Sequence, residues 1–157
     1  MADLVREARR VVEGEPDVAI PEIYRIGASA GGMRPKALVL HNPGTGELRS
    51  AWAPPAPGDV PCVLKFDGVG DAEYRERLSE PAPYNRVEAA YAQMARDAGI
   101  DMADVSILEG EGGYAHLLIR RFDLAPDGTR LHQHTCGGLV HVDYNDAGAS
   151  SYEEYLR

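Results

Sequence analysis

The hydrophobic and polar positions of the chain follow helical spacing in some segments and form short apolar runs in others. Residues 4–12 carry apolar side chains at helical spacing and predict a short amphipathic helix that ends near Gly14 and Pro16. The apolar runs 37–40 and 62–66 predict two strands, with a further short strand at 48–52 between Gly- and Pro-rich turns. The first part of the chain therefore combines a helix with strands.

The strongest helical pattern covers residues 85–98. The apolar positions that set its period are Val87, Ala90, Tyr91, Met94 and Ala98. Asn85 is the predicted N-cap of this helix, and Gly99 follows its end.

Residues 105–109 and 114–121 predict an antiparallel pair of strands joined by a glycine-rich turn. Asp127-Gly128 predicts another hairpin turn, and residues 150–157 have the pattern of a helix start. Together the segments predict an α+β fold, a mostly antiparallel sheet with one packed helix and further helices at the termini.

Composition narrows the class of protein. The chain has 157 residues, 44% hydrophobic and 26% charged, and a formal net charge of −9, which fits one soluble domain and argues against a nucleic-acid-binding surface. No apolar run approaches the ~20 residues of a membrane helix, and the N-terminus has no signal-peptide pattern, so we predict a cytoplasmic protein without membrane contact. Cys62 and Cys136 lack metal-ligand spacing and are predicted to be core thiols.

Three features could form an anion site. A small-residue loop at 26–36 precedes the first strand, Lys65 lies in the 62–66 strand, and Glu88 lies in the first turn of the helix. Glycine amides can surround phosphate oxygens, a strand lysine can neutralise them, and a helix carboxylate can hold that lysine. This order of elements matches the nucleotide-binding lobe of a protein-kinase-like fold. Taken singly, the loop could be an ordinary turn, Lys65 a snorkelling strand lysine and Glu88 a favourable charge at a helix N-terminus.

Four segments, 29–37, 63–66, 84–88 with 98–100, and 120–123, resemble HipA-type serine/threonine kinases, the toxin components of HipBA toxin–antitoxin modules. The resemblance runs from about residue 25 to the C-terminus. It implies an ATP-binding lobe at residues 25–124, preceded by a lead-in at 1–24 and followed at 125–157 by an incomplete start of the C-terminal lobe.

The resemblance also implies roles for particular residues and a set of partners. Ser29, Ala30, Gly31, Gly32 and Lys36 would form the phosphate-binding loop, with Ser29 matching a serine whose autophosphorylation switches the kinase off. Lys65 would contact the phosphates of ATP. Arg121, Phe122 and Asp123 would lie at the adenine-binding connection between lobes, where the preceding Arg120 replaces an acidic residue of some relatives. The implied cofactors are ATP and Mg²⁺, and the implied partners are a HipB-like DNA-binding antitoxin and a protein substrate.

The catalytic half of such a kinase is predicted to lie outside this chain. Phosphoryl transfer needs a catalytic aspartate and Mg²⁺ ligands, and the nearest sequence, at 141–145, has its asparagine only two positions after Asp143. We therefore expect a truncated kinase that at best binds nucleotide, without catalysis. Because it exposes apolar surface that the missing lobe would cover, we expect it to be marginally stable or to self-associate.

Two other functions remain open from the sequence. One is a small metal-binding domain, because His132, His134, His141 and Asp143 lie within twelve positions of each other. The other is a non-catalytic module that binds an antitoxin or another subunit.

Overall fold

A computed structural model describes residues 36–67, 83–125 and 128–143, together with the single positions 146, 148, 151 and 153. The predicted N-terminal helix, the loop at 26–35 and the predicted final helix lie outside the described residues, apart from isolated positions. The chain divides after Arg121 into two compact units. None of the described helices is long and apolar enough to cross a membrane.

The first unit contains a five-stranded sheet in which every neighbouring pair is antiparallel, as predicted. Its strand order is β2-β1-β3-β5-β4. The strands are β1 (Lys36–Asn42), β2 (Glu47–Ser50), β3 (Val60–Lys65), β4 (Val105–Glu109) and β5 (Ala115–Arg120). With helix α1 (Tyr84–Asp97) this confirms the α+β fold.

The two faces of the sheet differ in composition because side chains alternate along each strand. One face, here called the core face, carries the main apolar cluster, whose members include Ala37, Val39, Cys62, Leu64 and Leu118. Cys62 is 3% exposed, which confirms that this thiol belongs to the core. The other face, here called the helix face, carries Lys36 and Lys65 and lies toward α1.

The connection from β2 to β3 is held by the carboxylate of Asp59. Its side chain is 2% exposed, forms an ion pair with Arg49 and accepts the Ala56 backbone N–H at 2.8 Å. Asn42 adds a hydrogen bond from its amide nitrogen to the Pro57 carbonyl at 3.1 Å. Polar contacts thereby fix a proline-rich connection.

Helix α1 begins one residue earlier than predicted and is capped differently. Pro83 occupies the N-cap position and makes no side-chain capping bond, so the prediction of Asn85 as N-cap was wrong. The C-terminal prediction was correct, because Gly99 has φ +81° and follows the helix. Its N–H donates to the Arg96 carbonyl and that of Ile100 to the Ala95 carbonyl, the pattern of a Schellman motif.

Helix α1 packs on β4 and β5 through small and polar residues. Asn85 and Ala92 are buried, whereas Val87, Tyr91 and Met94 are 46–66% exposed. The apolar stripe that set the helical period therefore faces away from the sheet. Alanines at 89, 92 and 95 lie at spacings of three residues, and side chains this small permit a close approach of helix to sheet.

The second unit begins at Phe122. Leu124 and Arg130 form an antiparallel bridge on either side of the predicted 127–128 turn, and Ala125 donates its N–H to the Thr129 carbonyl at 2.8 Å. A four-residue helix, α2 (Cys136–Leu139), follows. The chain thus reverses direction where the sequence predicts a turn.

Candidate functional site

Lys36 and Lys65 are the two lysines of the sequence, against fourteen arginines. They lie directly opposite each other, at paired positions of the antiparallel strands β1 and β3. Directly paired residues of antiparallel strands have Cβ atoms about 4.5–5.5 Å apart, so like charges there repel. All other strongly basic residues are arginines, so both lysines of the chain lie at one point of the helix face.

Glu88 of α1 lies against this pair. Its carboxylate forms an ion pair and hydrogen bond with the Lys65 ammonium, as the sequence analysis proposed for a helix carboxylate. The Lys65 side chain is 21% exposed and that of Glu88 is 47% exposed. Lys65 is thus held from one side while part of its surface remains accessible.

The environment of Lys36 disfavours its positive charge. The pKa of Lys36 lies below its usual 10.5, first because the side chain is partly desolvated and second because the Lys65 ammonium repels it. The Glu88 carboxylate opposes this effect and raises the pKa. Glu88 therefore acts on both ammonium groups, through an ion pair with Lys65 and through a longer-range attraction on Lys36.

A buried polar network adjoins the backbone of the site next to Lys65. It was not predicted from the sequence. The Asp67 N–H donates to Nδ1 of His116 at 3.0 Å, and the Ala115 N–H donates to the Asp67 carboxylate at 3.0 Å. His116 also contacts Phe66 edge to face, with ring centroids 6.1 Å apart. The network joins the end of β3 to the start of β5, directly after Lys65. Asp67 directly follows the predicted 62–66 strand, and no sequence signal distinguished it.

Asn85 extends this network into the helix. Its side-chain amide nitrogen donates to the Ala115 carbonyl at 2.8 Å and, more weakly, to the Lys65 carbonyl at 3.4 Å. The residue is 1% exposed. The same turn of α1 therefore contacts the backbone of Lys65 through Asn85 and the ammonium of Lys65 through Glu88.

The remaining predicted site residues are those of the loop before β1 and the segment 121–123. Ser29, Ala30, Gly31 and Gly32 lie outside the described residues. Arg121 ends the sheet unit and donates its backbone N–H to the Pro61 carbonyl at 3.0 Å. Phe122 and Asp123 belong to the second unit. Phe122 is 67% exposed, and the backbone carbonyl of Asp123 accepts the Leu131 N–H.

The metal-site hypothesis gains no support from the geometry. Within the described residues, which include His132, His134, His141 and Asp143, no three His, Cys, Asp or Glu side chains are placed to hold a metal ion. The Nδ1 atom of His134 instead lies 3.0 Å from the Thr135 carbonyl oxygen.

Comparison with protein-family models decides the relationship that the sequence segments suggested. The model of the HipA-like C-terminal domain matches residues 28–157. The chain belongs to this family. The matched range of this HipA-like chain includes Lys36, Lys65 and Glu88, so the whole described site lies within the family domain. No curated protein and no solved structure gave a match.

Proposed function

We propose that this HipA-like chain binds ATP as its magnesium complex, with Lys36 and Lys65 contacting the phosphates and Glu88 holding Lys65 in place. The observation that carries the proposal is the placement of both lysines of the chain opposite each other on one face, with one of them paired to a helix carboxylate. Fixed cations aimed at phosphate oxygens are the main contribution that a protein makes to phosphate binding.

The residues fit a phosphate group in charge and in exposure. Partial desolvation and repulsion by Lys65 disfavour the positive charge of Lys36, and a bound anion would stabilise that charge. The Lys65 side chain remains partly accessible beside Glu88. Bound Mg-ATP would supply a transferable γ-phosphoryl group. The loop residues Ser29, Ala30, Gly31 and Gly32 are proposed to add backbone N–H donors, and Arg121, Phe122 and Asp123 to line the adenine end.

The proposed context is the ATP-binding lobe of a HipA-like serine/threonine protein kinase in the cytoplasm, with a HipB-like antitoxin as partner. Phosphoryl transfer to a protein serine or threonine needs a catalytic aspartate and Mg²⁺ ligands. We assign none of the described residues to these roles. For this chain the proposal is therefore nucleotide binding, and transfer is proposed only together with a catalytic lobe.

Calorimetric titration of Mg-ATP tests the proposal. The parent is expected to release or absorb binding heat, and Lys65→Met is expected to bind at least tenfold more weakly, because one charge-assisted hydrogen bond contributes ~1.5–3 kcal/mol. Arg120→Met is the matched control, because Arg120 lies on the opposite face and forms an exposed 3.6 Å ion pair with Asp104. A folded parent that gives no heat, or equal losses in both variants, would refute phosphate binding at the lysine pair.

A further inference from the structure

Asn85 lies in the first turn of α1, where a polar side chain facing the sheet is unexpected. The residue is 1% exposed and is among the largest side chains of the described residues that are fully buried. It makes no N-terminal capping bond, because the cap position belongs to Pro83. Its burial therefore requires an explanation other than helix capping.

The two contacts of Asn85 both involve backbone at the site. Its amide nitrogen donates to the carbonyl of Ala115, the first residue of β5, and to that of Lys65, the last residue of β3. Helix, strand end and strand start thus meet at one side chain. Three residues further along α1, Glu88 reaches the Lys65 ammonium, so the two contacts hold the backbone and the side chain of the same lysine.

Apolar packing contributes little to holding α1 on the sheet. Its buried side is made of Asn85 and alanines, while its larger apolar side chains point away. Small side chains bury little apolar area, and area is what the hydrophobic effect rewards. The position of α1 along the sheet consequently depends on directional polar contacts at its first turn.

The amide oxygen of Asn85 indicates that its nitrogen is the group the site uses. Oδ1 is buried and has no hydrogen-bond partner. A buried acceptor without a partner lowers stability, so a side chain placed only for packing would be apolar here. The donor end, in contrast, is engaged at both of its contacts.

We propose that Asn85 is a positioning residue whose amide nitrogen anchors the first turn of α1 on the backbone of Lys65 and Ala115 and so keeps Glu88 paired with Lys65. Arg86, in the same turn, keeps its two hydrogen bonds to Glu109 of β4, so loss of the anchor releases the turn only on the side of Lys65. The Lys65 ammonium then loses its partner. The consequence for ATP affinity rests on the proposed function. The effect on the Lys65–Glu88 ion pair is independent of that function.

Amine acylation measured by mass spectrometry tests the anchor without nucleotide. Acetic anhydride modifies lysine side chains, and Lys65 is protected while its amine is held in the ion pair with Glu88. Since Lys36 and Lys65 are the chain's two lysines, each is followed separately, with free Nα-acetyl-lysine as a reference amine. Glu88→Gln should raise Lys65 labelling roughly twofold to fivefold, the range given by loss of a partly exposed ion pair.

Asn85→Leu, which keeps the branched shape but removes the donor, should raise Lys65 labelling by the same factor as Glu88→Gln. The double variant should label no faster than either single variant, because both changes break one coupled contact. Asn85→Ala serves as a second variant if the leucine does not fit. Val39→Ala is the matched control for lost stability, because Val39 is buried on the core face and lies away from α1.

Independent, multiplicative effects of the two changes, or an equal increase in Val39→Ala, would show that Asn85 contributes only stability and would overturn the proposal. Mg-ATP titration of Asn85→Leu then separates the two proposals. If the labelling effects are coupled but Mg-ATP gives no binding heat with the parent, the role of Asn85 is supported and nucleotide binding is refuted. Parent binding that Asn85→Leu leaves unchanged, with uncoupled labelling, refutes the anchor alone.

Discussion

Replacing Glu88 with glutamine tests whether this carboxylate positions Lys65 or merely adds negative charge beside the site. The two roles predict opposite signs. If Glu88 positions the ammonium, its loss weakens Mg-ATP binding. If only net charge matters, removal of a negative charge strengthens the binding of an anion. The change is small in volume, and the pair is half exposed at Glu88, so its contribution to folding stability is at most about 1 kcal/mol.

The magnitudes favour the positioning effect. A misplaced Lys65 forfeits up to one charge-assisted hydrogen bond to phosphate, about 1.5–3 kcal/mol. The opposing electrostatic gain is below about 1 kcal/mol, the interaction of two unit charges 4 Å apart in water, since Glu88 is about half exposed and Lys65 would lie between it and the anion. A net loss of about 0.5–2 kcal/mol weakens binding roughly twofold to thirtyfold.

Calorimetry of Mg-ATP binding to the parent and to Glu88→Gln measures this difference. Glu111→Gln is the control, because Glu111 is exposed in the turn before β5 and its replacement changes the net charge by the same amount. The control should bind as the parent does. Binding by Glu88→Gln that is as tight as the parent's, or tighter, would show that Glu88 does not position Lys65.

Three further predictions concern stability and reactivity. Asp59→Ala should lower the free energy of unfolding in urea by about 1–3 kcal/mol, because it removes a charge-assisted hydrogen bond from Arg49 and the acceptor of the Ala56 N–H. Asp104→Ala, from an exposed pair, should change it by under about 0.5 kcal/mol; equal losses would contradict this. The lowered pKa of Lys36 means that the unfolded chain binds more protons between that pKa and 10.5. The stability of the parent relative to Lys36→Met should therefore rise with pH through that window, and a fall would contradict the assignment. Burial raises the pKa of Cys62 to about 11, so iodoacetamide at neutral pH should modify Cys62 only after unfolding; rapid modification of Cys62 in the native chain, followed separately from Cys136 by peptide mass spectrometry, would contradict this.

The strands and the helix were predictable because their patterns are local. Alternation and short apolar runs located β1, β3 and the β4–β5 hairpin to within a few residues, and Gly99 marked the end of α1 because the left-handed backbone there suits glycine. Patterns of this kind depend only on residues that are close together in the chain. They can therefore be recognised from the sequence alone.

The side of α1 that faces the sheet was not predictable in the same way. Periodicity showed a stripe with Val87, Tyr91 and Met94, yet the sheet accepts alanines and Asn85. A hydrophobic stripe identifies a helix but not the surface that covers it. The N-cap assignment of Asn85 failed for a related reason, because its partners lie 20 and 30 residues away.

The candidate site was predictable where residue type and element order define it. Lys65 and Glu88 follow from a lysine within an apolar strand and an acid in the next helix, and the structure places them in contact. The opposition of Lys36 and Lys65 depends on strand register, and the Asp67–His116 contact joins residues 49 positions apart. Neither can be derived from spacing along the chain.

The central claim, that Lys36 and Lys65 together bind nucleotide phosphate, is tested most directly at the two ammonium groups. Protein labelled with ¹⁵N only in lysine should give two side-chain signals, assigned with Lys36→Met and Lys65→Met. Addition of Mg-ATP is predicted to shift both signals in parallel and with the same saturation curve, and an equal concentration of adenosine, which lacks phosphate, is predicted to shift neither. Signals that stay unmoved by Mg-ATP in a chain shown to be folded by its tryptophan fluorescence would contradict the account.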